Sequence, residues 1–132
     1  MLATDARGWR RGVTMQITSF NINLTSEQPD VLTAWYKNVL RLTQDEGSGG
    51  FEVGPAHIHI DGHSETHGPT KEPQRVLINM FIDDFDAEYA RLSAEGVTFI
   101  REPEREAWGG LFATFLDPDG NYLQIVEFKP GG

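Results

Sequence analysis

The chain contains no cysteine. Disulfide scaffolds, thiolate zinc sites, thiol nucleophiles and thioredoxin-like redox motifs are therefore excluded, and disulfide usage points to no compartment. Positive charge is scarce as well: eleven Lys and Arg stand against twenty Asp and Glu, for a formal charge of -9 and a pI near 4.8. That field repels phosphate backbones and anionic lipid, so neither nucleic acid nor a membrane is expected as a partner. Long apolar runs are missing too. The apolar stretches are interrupted every second or third residue, which predicts no membrane-spanning helix. What remains, 132 residues, is the length of one domain, large enough to fold without a metal, so that a metal, if bound, would serve chemistry.

Arg7, Arg10 and Arg11 near the amino terminus invite a twin-arginine export reading. An export signal needs a continuous apolar core, whereas residues 15–24 alternate apolar and polar side chains. The expectation is a cytoplasmic protein with a disordered leader over residues 1–14, Met15 being a candidate natural start, and a short tail over 129–132.

Ile17, Phe20, Ile22 and Leu24, with clean alternation from Phe20 to Leu24, predict a strand that Met15 opens, and Val31, Leu32, Trp35, Val39 and Leu40 make a helical stripe after Ser26 (a cap), Glu27 and Pro29. Three strands are predicted next, Leu42–Glu46, Phe51–Val53 and Ala56–Ile60, separated by Gly47-Ser48-Gly49-Gly50 and Gly54-Pro55. No lysine or helix start follows the glycine run, so it reads as a hairpin and not a phosphate cradle. Residues 61–74 read as a connector. The order then repeats: a strand over Val76–Ile82, a helix capped by Asp84 or Asp86 and closed by Gly96, and strands over Val97–Arg101, Leu111–Leu116 and Tyr122–Phe128. The fold class is α+β, with two βαβββ units, residues 15–60 and 75–128, pairing into a curved, partly open mixed sheet around a cavity at their shared seam.

The duplicated order resembles the vicinal oxygen chelate superfamily, the group of glyoxalase I, bleomycin-resistance proteins and extradiol dioxygenases. The motifs that carry the resemblance are Leu116-Asp117-Pro118-Asp119-Gly120-Asn121 running into Tyr122-Leu123-Gln124-Ile125, Trp35-Tyr36 followed by Asn38-Val39-Leu40, and Trp108-Gly109-Gly110. The resemblance covers residues 15–128 and implies, for enzymes of the group, a divalent metal held by the first and last strands of each unit. At those positions the resemblance puts Ser19, one of His57 and His59, Leu77 and Gln124, at most one good ligand among four. Glu127 has the wrong strand parity to stand in for Gln124. Fold alone does not choose among the isomerases, dioxygenases, transferases and sequestering proteins of the group.

Two readings of the histidines stand side by side: His57 and His59 on one strand face as a metal site of another kind, or as polar lining of the cavity with His63 and His67 solvated in the connector. Asp83, Asp84 and Asp86 are explained by helix capping. Trp108, before two glycines in a polar segment, is either a stacking platform for a planar or cationic guest or a plug over the sheet edge. The resulting expectation is a homodimer that binds a small organic molecule through Trp108, Tyr122, Gln124, His57, His59 and Ser19, with no metal cofactor. The resemblance to the bleomycin-resistance branch is greatest. The rivals are a metal-dependent lyase, isomerase or dioxygenase, and a metal-free enzyme with His57 or His59 as general base.

Overall fold

The computed structural model describes residues 4, 6–9 and 12–128. Strands β1 (Asn21–Ser26), β2 (Phe51–Val53) and β3 (Ala56–Gly62), with helix α1 (Pro29–Asn38), form the first unit. The second consists of β4 (Leu77–Phe81), α2 (Phe85–Ala94), β5 (Phe99–Arg105), β6 (Leu111–Leu116) and β7 (Tyr122–Glu127). Two open sheets result, ordered β1-β3-β2 and β4-β7-β6-β5, and in each the first strand runs parallel to the last. The α+β class is as the sequence predicts; the second unit has the predicted βαβββ order, whereas the first lacks one strand and is βαββ. None of the described helices is long and apolar enough to cross a membrane.

Several boundaries differ, each for a local reason. The first strand starts at Asn21, not near Ile17, because pairing with β3 begins at Asn21 opposite His57. Ser26 does not cap α1. Its hydroxyl accepts from Gln28 N–H, and Gln28 is the residue that precedes the helix. Proline at the first helical position and Asp30 in the first turn favour that start. The helix stops at Asn38, short of Val39 and Leu40, because Arg41 turns left-handed at φ 62. Leu42–Glu46 is no strand: it contributes one bridge, Gln44 to Phe51, and the chain then folds on the Asp45 carboxylate, which accepts from Gly47 N–H and the Ser48 hydroxyl. The connector includes a short 3-10 turn, Pro73–Arg75. Asp84 caps α2 by accepting from Ala87 N–H, and Gly96 follows at φ 81. The fifth strand is displaced to Phe99–Arg105, and the last ends at Glu127. The described residues from 4 to 14 are exposed; the remainder of the predicted leader and the 129–132 tail lie outside the described residues.

One core serves both units. Leu32 and Tyr36 of α1, Phe85 and Leu92 of α2, and Phe51, Ile58, Phe115 and Leu123 of the two sheets belong to a single buried cluster. Helix α1 lies against β3 and also reaches the other sheet, where the Trp35 and Phe115 ring centroids are 6.4 Å apart. Arg91 of α2 donates to the carbonyls of Val39 and Leu40. The deepest tie is the Tyr36 hydroxyl donating to Asp117 at 2.8 Å; the same carboxylate also accepts from Asp119 N–H, Asn121 N–H and the Asn121 amide. Burial first, then the Asp117 charge, raises the Tyr36 pKa far above its ordinary 10.0. The helices thus pack in the seam between the units, and each sheet turns its other face away from them.

Candidate functional site on the outer faces of the two sheets

Strand parity assigns every candidate to a face. In β3, Ile58 enters the core, so His57 and His59 point outward beside Asn21 and Asn23 of β1, their register partners. The two imidazole centroids are 6.4 Å apart, and the Asn21 amide donates to Asn23 at 2.8 Å. His59 lies so close to Gly50 that a Cβ there would come within 2.7 Å of the ring. Ser19 precedes β1 and is exposed, so the position opposite His59 is Asn23, four residues further on.

In β7, Leu123 and Ile125 enter the core, and Tyr122 and Gln124 take the opposite face of the second sheet, where Gln124, with Thr114 and Val126 beside it, is itself buried. Leu77 does lie on this face, but the residue opposite Gln124 is Asn79. A chain of hydrogen bonds crosses the sheet here: Thr114 hydroxyl to Gln124 Oε1 at 2.7 Å, then Gln124 Nε2 to Asn79 Oδ1 at 2.6 Å. Toward one end of the face stand exposed aromatics. Trp108 makes an edge contact with Phe112, centroids 5.5 Å apart, and is 5.3 Å from Phe128; Trp108 is 55% exposed, and Phe81 in β4 is 69% exposed. The Trp108 loop is a closed hairpin: Glu106 N–H donates to Gly110, Gly109 N–H donates back to Glu106, and the indole lies directly over Gly110. Gly109, at φ 102, supplies the left-handed step.

Arg101 also belongs to this face, and sequence parity misses it. Phe99 opposes Phe115 in the core, yet Arg101 opposes Thr114 on the outer face, because a bulge inserts one residue between them. A second irregularity brings Glu104 opposite Phe112. Pro103 within the strand is the sequence signal for such disruption. The Arg101 guanidinium lies 5.5 Å from the Phe112 ring centre and is held by Glu106 and Glu104, with the Glu106 hydrogen bond the chief reason its pKa is raised.

The structure therefore brings Trp108, Tyr122 and Gln124 onto one face and His57 and His59 onto another, with the helical layer between. A groove of about 460 Å³ at the seam is lined by Leu40, Val53, Met80, Leu92 and Ile125 among others, and holds none of the predicted site residues. Residues 18–125 match the family model of the Glyoxalase/Bleomycin resistance protein/Dioxygenase superfamily. The chain belongs to this superfamily. Solved members with the same fold include a superfamily protein from Sphaerobacter thermophilus (22% identity, 86% of this chain and 99% of that one, TM-score 0.65). Another is a family enzyme from Burkholderia phytofirmans (22%, 83% and 97%, 0.67), and a third comes from Nocardioides (19%, 91% and 89%, 0.67). No curated protein matches. At these identities the likeness to solved structures is one of fold.

For the divalent metal associated with the superfamily, the paired positions at the first and last strands are Asn23 with His59 and Asn79 with Gln124. Three neutral amides and one imidazole give a divalent ion no charge compensation, and the Gln124 amide is engaged at both ends. Among the described residues no group of three or more His, Asp or Glu is placed to hold a metal ion, and no buried side-chain polar atom lacks a hydrogen-bond partner. The residues do not fit the metal.

Proposed function

We propose that this member of the superfamily binds a small organic molecule, without a catalytic metal, on the outer face of the second sheet. One observation carries the reading: at the centre of that face, where a metal enzyme needs a charged ligand, Gln124 is locked between Thr114 and Asn79, with exposed Trp108, Phe81 and Phe128 toward one end. A neutral hydrogen-bonding strip beside aromatic walls suits a planar guest, oriented by the strip and stacked on the indole.

The aromatic end of this face, Trp108, Phe81 and Phe128, is exposed, and we propose that a homodimer, working in the cytoplasm, covers it. In it the first sheet of one copy, with His57 and His59, faces the second sheet of the other and closes the cavity. Both strands at the facing edges, β1 and β4, have an unpaired side, and Leu77 and Phe81 leave apolar surface exposed on β4. Elemental analysis of protein purified without a histidine tag should find no stoichiometric zinc, iron, manganese or nickel. About one equivalent, lost on His59→Ala, would overturn the metal-free reading. Sedimentation velocity should give the mass of a dimer, and titration with planar aromatic compounds should weaken by roughly five- to tenfold in Trp108→Ala.

A further inference from the structure

Arg101 is a cation already seated in an aromatic and acidic setting. Its guanidinium lies over the Phe112 ring and is gripped by Glu104 and Glu106, while Trp108 packs its edge against that same Phe112. The cluster of one guanidinium and two carboxylates has a net negative charge, and the chain around it is acidic at -9. Ring faces attract cations through their quadrupole, and a carboxylate at the rim adds Coulomb attraction. A bulge in β5 turns Arg101 onto this face, away from the core side that Phe99 takes.

We propose that the guest of this face is an organic cation, a quaternary ammonium or alkylated amine attached to an apolar or planar body. Its charged end takes the place over Phe112, the ring that Trp108 also packs on, that the Arg101 guanidinium holds. Arg101 is then an intramolecular competitor that sets selectivity: it keeps weak cations out and swings aside, still paired with Glu106, for one that also fills the aromatic wall. An anionic guest fits less well, because both carboxylates already neutralise the guanidinium and would repel a third. The proposal rests on the reading of this face as the ligand site and adds the charge of the ligand.

The test uses two probes of the same shape, choline and its uncharged isostere 3,3-dimethylbutan-1-ol, titrated into the full chain and followed by the Trp108 indole N–H resonance, identified with Trp108→Phe. Choline is expected to bind about tenfold more tightly than the isostere. Arg101→Gln removes both the occupant and its charge, so it should raise the affinity for both probes and for choline the more. Arg41→Gln makes the same change in net charge away from this face and should do neither. Glu104→Gln with Glu106→Gln should abolish the preference for charge. Equal binding of the two probes, with the Trp108 signal responding to both, overturns the cation proposal and leaves the ligand face standing. Gains for choline that are equal in Arg101→Gln and Arg41→Gln overturn the role of Arg101. Absence of any Trp108 response to either probe, and to planar neutral compounds as well, overturns both.

Discussion

Replacing Tyr36 by Phe removes one hydroxyl and nothing else from the joint between the two units. Tyr36 is fully buried, and its hydroxyl donates to Asp117, itself 5% exposed. A hydrogen bond to a charged acceptor contributes about 1.5–3 kcal/mol, and Asp117 retains three donors from Asp119 and Asn121, so a loss of about 2 kcal/mol is expected at pH 8. For 132 residues the unfolding entropy is about 0.28 kcal/mol/K, which makes that loss about 7 °C in Tm. The pH dependence separates this cause from simple repacking. The folded-state pKa of Tyr36 is raised, so its contribution is fully present below pH 10 and is lost as pH rises above the unfolded value of 10.0, where only the unfolded chain ionises. At pH 11 the wild type should have lost about 1.4 kcal/mol by this route, and Tyr36→Phe, which lacks the group, should not. The gap between them should therefore shrink from about 2 to about 0.6 kcal/mol. Urea unfolding followed by far-ultraviolet circular dichroism at both pH values measures it. A gap of the same size at pH 11 as at pH 8 would refute the reasoning.

Arg41→Gly relieves a left-handed residue at the end of α1 while removing only an exposed pair with Glu95; a gain of about 0.5–1 kcal/mol is expected, read as a rise in Tm. Gly110→Ala drives a methyl into the indole above it, so the Trp108 near-ultraviolet dichroism band should change while far-ultraviolet dichroism stays the same. Gly50→Ala should displace His59, shifting its imidazole proton resonances while those of His63 stay in place.

The elements that were legible in the sequence are those whose burial follows a simple period. The Asp84 cap is read from local spacing and Leu111–Leu116 forms where it is predicted, but the α1 stripe is only partly right: Leu32 is buried, Val31 is exposed, and Tyr36, as fully buried as Leu32, is left out of the stripe. Leu42–Glu46 resembles a strand in composition, but β2 has only three residues and offers it a single bridge. The resemblance puts Ser19 and Leu77 at the metal positions, whereas the register between parallel strands selects Asn23 and Asn79. Parity also fails at Arg101, because a bulge exchanges faces without any change in hydrophobic pattern. Period-two alternation says which side of a strand is wet. It does not say which of the two sheets meets a given helix, so His57 and Gln124 read as neighbours although the helical layer separates them.

The bond between Tyr36 and Asp117 spans 81 positions of the chain. During synthesis, at about 5–20 residues per second, the first unit waits roughly 4–16 s between the emergence of Tyr36 and that of its acceptor. For that interval the Trp35 and Tyr36 rings of α1 lack Phe115 and Asp117, the partners that complete their packing. The amino-terminal half therefore lacks these partners until nearly the last strand has been made. A truncation after the connector would leave a fragment whose Trp35 and Tyr36 rings never meet Phe115 and Asp117.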